Sequence, residues 1–157
     1  MIQEEATSSN PRVRQSVAQN PLTPEGILTL LADDSVWYVR NDVAHNPNVP
    51  IDTLYKLSDD PDSVVRESIA RNEKCPTDLL NKLSMDESYD VILGVASNEN
   101  TSPEALTLLS HADTMDVLFR VINNKNTPIQ VLQQLTQCRN EDISETAEER
   151  LHERGVF

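Results

Sequence analysis

Valine recurs every 26 residues along this chain, at Val13, Val39, Val65, Val91 and Val117, and Ile143 continues the series. Other columns keep the same frame. Four residues on stand Val17, Val43, Ile69, Val95 and Val121, followed by Ala18, Ala44, Ala70, Ala96 and Ile122. Then come Asn20, Asn46, Asn72, Asn98 and Asn124 without exception. Leu28, Leu54, Leu80, Leu106 and Leu132 recur further along, each followed three residues later by a second leucine, from Leu31 to Leu135. A unit this short cannot bury an apolar face alone, so an unbroken period of this length requires units that stack.

The spacing assigns the halves of the unit. Apolar residues at i and i+4 with an alanine beside them form the stripe of a short helix, which ends at the asparagine. Asparagine tolerates the left-handed conformation that stops a helix, so its column reads as a C-cap and turn ladder. The next segment opens with a proline, as in "TPEGIL" and "VPIDTL". Proline suits a first helical turn, where its missing N–H would lack a partner anyway, and Thr23, Ser102 and Thr127 are suitable N-caps. A second helix of roughly eight to ten residues follows and buries the two leucines. Pro103 stands one residue later than its counterparts while Leu106 stays in phase, which predicts a different path for the fourth loop.

The fold class expected is therefore all-α: an α-solenoid of five two-helix repeats, 13–38, 39–64, 65–90, 91–116 and 117–142. Residues 1–12 read as an N-terminal partial unit and 143–157 as a C-terminal capping helix, using Ile143, Ala147 and Leu151, the whole forming one domain. The initial methionine and the capping segment favour a whole protein.

The pattern VRxxVAxNPxTPxxxLxxLxxD, as it stands at 13–34 and 39–60, resembles the leucine-rich repeat variant family. That resemblance implies a right-handed superhelix of paired short helices without strands. It covers about 13–142 and fades in the last two units, where the arginine after the valine is lost and the aspartate pair becomes His111-Ala112 or Gln137-Cys138. HEAT-like repeats, whose units are longer, are the near alternative. Some members of the resembled family carry a cysteine-rich iron–sulfur module before the repeats. This chain lacks those cysteines, so no cofactor carries over.

Composition narrows the function. The chain has 26 acidic and 13 basic residues, a formal net charge of −13, which opposes binding to polyanions such as nucleic acid or an anionic membrane. No apolar run of about 18 residues could span a membrane, and the acidic N-terminus "MIQEEATSSN" has no apolar signal region, so the expected address is cytoplasmic. Cys75 and Cys138 lack a CxxC partner, and His45, His111 and His152 occupy different repeat positions without a second ligand at helical spacing. Gly26, Gly94 and Gly155 make no phosphate-cradling loop. No nucleophile–base constellation can be assembled, so no enzyme, metal or cofactor is expected.

Two features remain as candidate sites. Arg14, Arg40 and Arg66 form one column, and Asp33-Asp34, Asp59-Asp60 and Asp86 end the neighbouring helix; they read as a charged strip for a ligand or as a ladder of ion pairs and caps. In addition, the polar pairs Arg14-Gln15, Arg40-Asn41 and Arg66-Glu67, expected to point outward, become Ile92-Leu93 and Leu118-Phe119, with Tyr89 and Met115 on the same helical face. Residues 143–157 fold over this apolar patch as a cap, or it stays open and binds a partner protein or a second copy of the chain. Trp37, beside Tyr38, is a smaller candidate anchor. The expected function is thus a non-catalytic protein-interaction scaffold, with an acidic inhibitor or immunity-type protein blocking a basic effector such as a nuclease as the alternative.

Overall fold

A computed structural model describes residues 2–156. Its first element is a short helix, α1 (Ile2–Ala6). Nine-residue helices then alternate with seven-residue helices: α2 (Pro11–Gln19), α3 (Glu25–Leu31), α4 (Trp37–His45), α5 (Ile51–Leu57), α6 (Ser63–Arg71), α7 (Thr77–Leu83), α8 (Tyr89–Ser97), α9 (Pro103–Leu109), α10 (Met115–Asn123) and α11 (Ile129–Leu135). The thirteen-residue α12 (Glu141–Glu153) ends the series, and the described residues contain no strand. The long helices, with α12 as the sixth, pack side by side as one layer, and the seven-residue helices form a second layer against them.

The repeat columns are the core. Val39, Val65, Val91, Val43, Ile69 and Val95 have no exposed surface, nor do Leu28, Leu54, Leu80, Leu106 and Leu132. Burying each such aliphatic side chain contributes roughly 1.5–3 kcal/mol. α6 and α8 come close together at Gly94, where a Cβ would stand 3.0 Å from the Ala70 Cβ and 3.3 Å from Arg71 Cγ.

The turns differ from the sequence expectation in three respects. The asparagines are not left-handed: Asn20, Asn46, Asn72, Asn98 and Asn124 all have φ between −76° and −67° and extended ψ. Their column is a ladder instead. Each Oδ1 accepts the amide of the residue two ahead, as Asn98 does from Asn100 at 2.9 Å. Each Nδ2 from Asn46 onward reaches back to the preceding unit: Asn98 donates to the carbonyls of Ala70 at 2.8 Å and Asn72 at 3.0 Å, and Asn124 to those of Ala96 and Asn98. Arg154 closes the ladder by donating to the carbonyls of Asn124 and Thr127.

Second, Thr23 and Thr127 do not cap the following helices. Their buried hydroxyls donate to the Val17 and Val121 carbonyls, at 2.6 and 2.5 Å, which satisfies acceptors at the end of the previous helix. Pro24, Pro50, Pro76 and Pro128 occupy the N-cap position itself. Third, the fourth loop keeps the common path. Pro103 moves to the first helical position, and Ser102, with φ −70° and ψ 154°, supplies a side-chain cap to the Ala105 amide at 3.1 Å.

Candidate protein-interaction face

The arginine column is the seam of the unit. Arg66 Nε donates to Asp86 Oδ2 at 2.7 Å and its Nη2 to Asp86 Oδ1 at 2.9 Å, while Nη1 donates to the Asp60 carbonyl at 2.8 Å. Arg14 and Arg40 repeat this geometry with Asp34 and Asp60, reaching the carbonyls of Ser8 and Asp34. Each arginine therefore joins its own helix to the end of the next one and to the loop before it. The aspartate also turns the chain, as Asp86 Oδ1 accepts the Ser88 amide at 2.8 Å.

Partial burial makes these charge-assisted pairs matter electrostatically. The hydrogen bond from Arg66 holds the Asp86 carboxyl below the usual carboxylate range. Burial pushes Asp34 up, but hydrogen bonds from Arg14 and from the Val36 amide outweigh it, and its carboxyl is also lowered. The three guanidiniums are raised in turn, first of all by their hydrogen bonds to the aspartates. Of the two readings of this column, the ladder of ion pairs accounts for every arginine. An exposed second ladder runs beside it, with Lys56 on Asp33 and Lys82 on Asp59.

In the last two units the seam is apolar. Ile92 and Ala112 take the places of arginine and aspartate, then Leu118 and Cys138, and all four pack against the core. This corrects the expected outward position of the first residue after the valine. Leu118 is only 8% exposed, and Ile92, half-buried, takes the place of the seam arginine, so both belong to the seam.

The second residue behaves differently. Gln15 and Asn41 lie on the outer surface of the long-helix layer and bond across to the next unit, Gln15 to Asp42 at 2.7 Å and Asn41 to Ser68 at 2.6 Å. Leu93 and Phe119 hold this column in the fourth and fifth units; each is half-buried, with one side packed against the core and the rest left at the surface. Tyr89 and Met115, one turn earlier on α8 and α10, are each 41% exposed. Tyr89 donates its hydroxyl to Asp116 at 2.9 Å, which pushes the phenol above its ordinary range, and the Met115 sulfur receives the Asn140 amide at 3.5 Å.

Capping and exposure thus coexist. The tail forms α12, which continues the layer in register and packs on α10 and α11, burying Ile143, Ala147 and Leu151. Tyr89, Leu93, Met115 and Phe119 keep surface beside it. Trp37 sits apart from them at the start of α4, 44% exposed, edge-on to Tyr38 with ring centroids 5.8 Å apart. Arg12 covers the Tyr38 ring at 4.8 Å. The structure does not bring Trp37 to the other candidate residues.

The remaining reactive groups offer little chemistry. Burial pushes the Cys75 thiol up to about 12, with Asp78 adding to the shift, which leaves it protonated and inert at neutral pH. Among the described residues no group of three or more His, Cys, Asp or Glu side chains is placed to hold a metal ion.

A designed armadillo repeat protein has a similar structure: 96% of this chain aligns with 97% of that one at a TM-score of 0.57 and 16% identity. The chain is a helical repeat solenoid. A second structure similar to the solenoid, described as a leucine-rich repeat variant with a novel repetitive structural motif, aligns over 93% of this chain and 68% of its own at 20% identity and a TM-score of 0.45. No family model and no curated protein matches the solenoid's sequence. No helix of its described residues is long and apolar enough to cross a membrane.

Proposed function

We propose that the solenoid is a protein-binding scaffold and that its partner sits on the outer surface of α8 and α10. One observation carries this reading. A surface column that is polar in the first three units, Gln15, Asn41 and Glu67, becomes Leu93 and Phe119, with Tyr89 and Met115 exposed beside it. Apolar groups left on the surface of a repeat array cost solubility, and exposed patches of this kind mark interaction sites. Rigid stacked helices also hold such side chains in fixed register, which lowers the ordering cost of binding. The acidic chain and its inert buried Cys75 fit a partner protein met in a reducing compartment, the cytoplasm, better than a polyanion.

Affinity capture from native lysate, run in parallel with the wild type and with Leu93→Glu/Phe119→Glu, tests it. A protein retained by the wild type and lost by the double variant, with helicity unchanged, is the expected result. Equal retention by both would place the binding surface elsewhere.

A further inference from the structure

The face formed by Leu93 and Phe119 carries a row of carboxylates with the same period. Asp90, Asp116 and Asp142 share one repeat column, all exposed, each in the first turn of its long helix. On α8 and α10 the aspartate lies three residues before Leu93 or Phe119, and so beside it on the helix surface. One period before Asp90 this column holds Val64, and before it Tyr38 and Arg12, so the acidic row is confined to the apolar end. Glu145 and Glu149 extend it on α12, both exposed.

Cations near this face are few. The unit 91–116 has no lysine or arginine, and Arg150 is taken by Glu153 and Asn123. Arg120, exposed on α10, and Arg139, exposed just before the Asn140 that bonds Met115, are the basic groups at this end. Elsewhere six carboxylates are held in ion pairs, by the three arginines of the seam, by Lys56 and Lys82, and by Arg71 on Glu67. Asp90, Asp116 and Asp142 take part in none of these ion pairs and lie where the surface is also apolar.

Resting on the reading of this face as the binding surface, we infer that its occupant is a cationic, extended protein segment with Lys or Arg at every third position and apolar side chains between. Charge complementarity selects the sign, and the helix spacing selects the period. Packed helices lie about 8–10 Å apart, so the carboxylates repeat at that interval. A polyproline-II segment advances about 3.1 Å per residue with three residues per turn, which returns a side chain to the same side every 9 Å or so. Lysines at i, i+3 and i+6 then meet Asp90, Asp116 and Asp142 in turn, while the residues between them reach Leu93 and Phe119. Attraction of this kind between exposed groups is screened by salt, because the screening length shortens to about 8 Å at physiological ionic strength.

The probe is a fluorescein-labelled peptide built from Lys-Pro-Leu triplets, titrated with the full chain by fluorescence polarisation. Saturable binding at low salt that weakens about tenfold by physiological ionic strength is expected. Asp90→Asn/Asp142→Asn should lose about tenfold in affinity at low salt and most of the salt dependence. Leu93→Glu/Phe119→Glu should abolish binding. Equal affinity of the Gln-Pro-Leu peptide, or of the Asp→Asn variant, would overturn the cationic occupant while leaving the face intact. Binding that survives Leu93→Glu/Phe119→Glu would overturn the face and the inference with it. Absence of saturable binding by the lysine peptide would overturn the inference alone, since the capture experiment judges the face without it.

Discussion

Arg66 on α6 and Asp86 after α7 form a two-bond pair across the seam of the third unit, Nε to Oδ2 at 2.7 Å and Nη2 to Oδ1 at 2.9 Å. Twenty-six residues later both partners have changed, to Ile92 and Ala112, and another 26 later to Leu118 and Cys138. The replacement is concerted because each partner is solvent-poor: the Arg66 and Asp86 side chains are only 13% and 9% exposed. Either alone would leave a charge without its counterpart away from water.

Asp86→Ala should therefore destabilise the fold by roughly 3 kcal/mol, as expected for a largely buried charge stripped of its partner. Installing the fourth unit's own solution, Arg66→Ile with Asp86→Ala, should recover most of that loss. Denaturant melts of the three chains check it. Additive losses in the double variant would show that the pair is not coupled.

Acid should weaken the same seam. Asp34 and Asp86 titrate lower in the folded chain than the ordinary carboxylate value near 3.9 of an unfolded one. A depressed folded value gives stability that is complete above the unfolded value and is lost as pH falls through the folded one. The melting temperature should accordingly drop as pH falls below about 4, and less steeply in Arg66→Ile/Asp86→Ala. Identical pH profiles for the two chains would mean that the Arg66–Asp86 pair does not set the acid response.

The rungs of the asparagine ladder are not equivalent. Asn98 is buried and donates to the Ala70 and Asn72 carbonyls, so Asn98→Ala leaves two acceptors unsatisfied and should cost about 1–3 kcal/mol. Asn20 is exposed, and its Oδ1 serves only the Leu22 amide at 2.9 Å. Asn20→Ala should cost less than about 1 kcal/mol. Thermal melts of the two variants separate the cases, and equal losses would contradict a ladder that acts between units.

The period, the two helices of each unit and the aliphatic core were all legible in the sequence, because Val65, Ile69, Leu80 and Leu83 show their burial directly as spacing. What the polar columns do was harder to read. Asparagine is equally compatible with a left-handed cap and with an extended turn, and only stacking reveals that Asn98 bonds to Ala70, 28 residues away. Arg14, Arg40 and Arg66 look like surface residues until their aspartates, twenty residues on, are seen to close over them. The strict co-occurrence of that Arg column with Asp34, Asp60 and Asp86 already offered a ladder of ion pairs, which the structure bears out, and its joint loss at Ile92 and Ala112 is the signal that could have shown the first position after the valine to lie in the seam. The same error merged Ile92 and Leu118 with Leu93 and Phe119 into one patch, whereas adjacent residues on a helix point about 100° apart.

That distinction between seam and surface is where the account can be tested most directly, by melting Ile92→Glu and Leu93→Glu side by side and assaying each for partner capture. Ile92→Glu puts an unpaired carboxylate into the apolar seam and should lower stability by roughly 1–3 kcal/mol. Leu93→Glu, which can turn its carboxylate toward solvent, should cost clearly less than Ile92→Glu and yet lose the captured partner. A Leu93→Glu chain that unfolds with Ile92→Glu, or one that stays folded and still captures the partner, would contradict the assignment of this face.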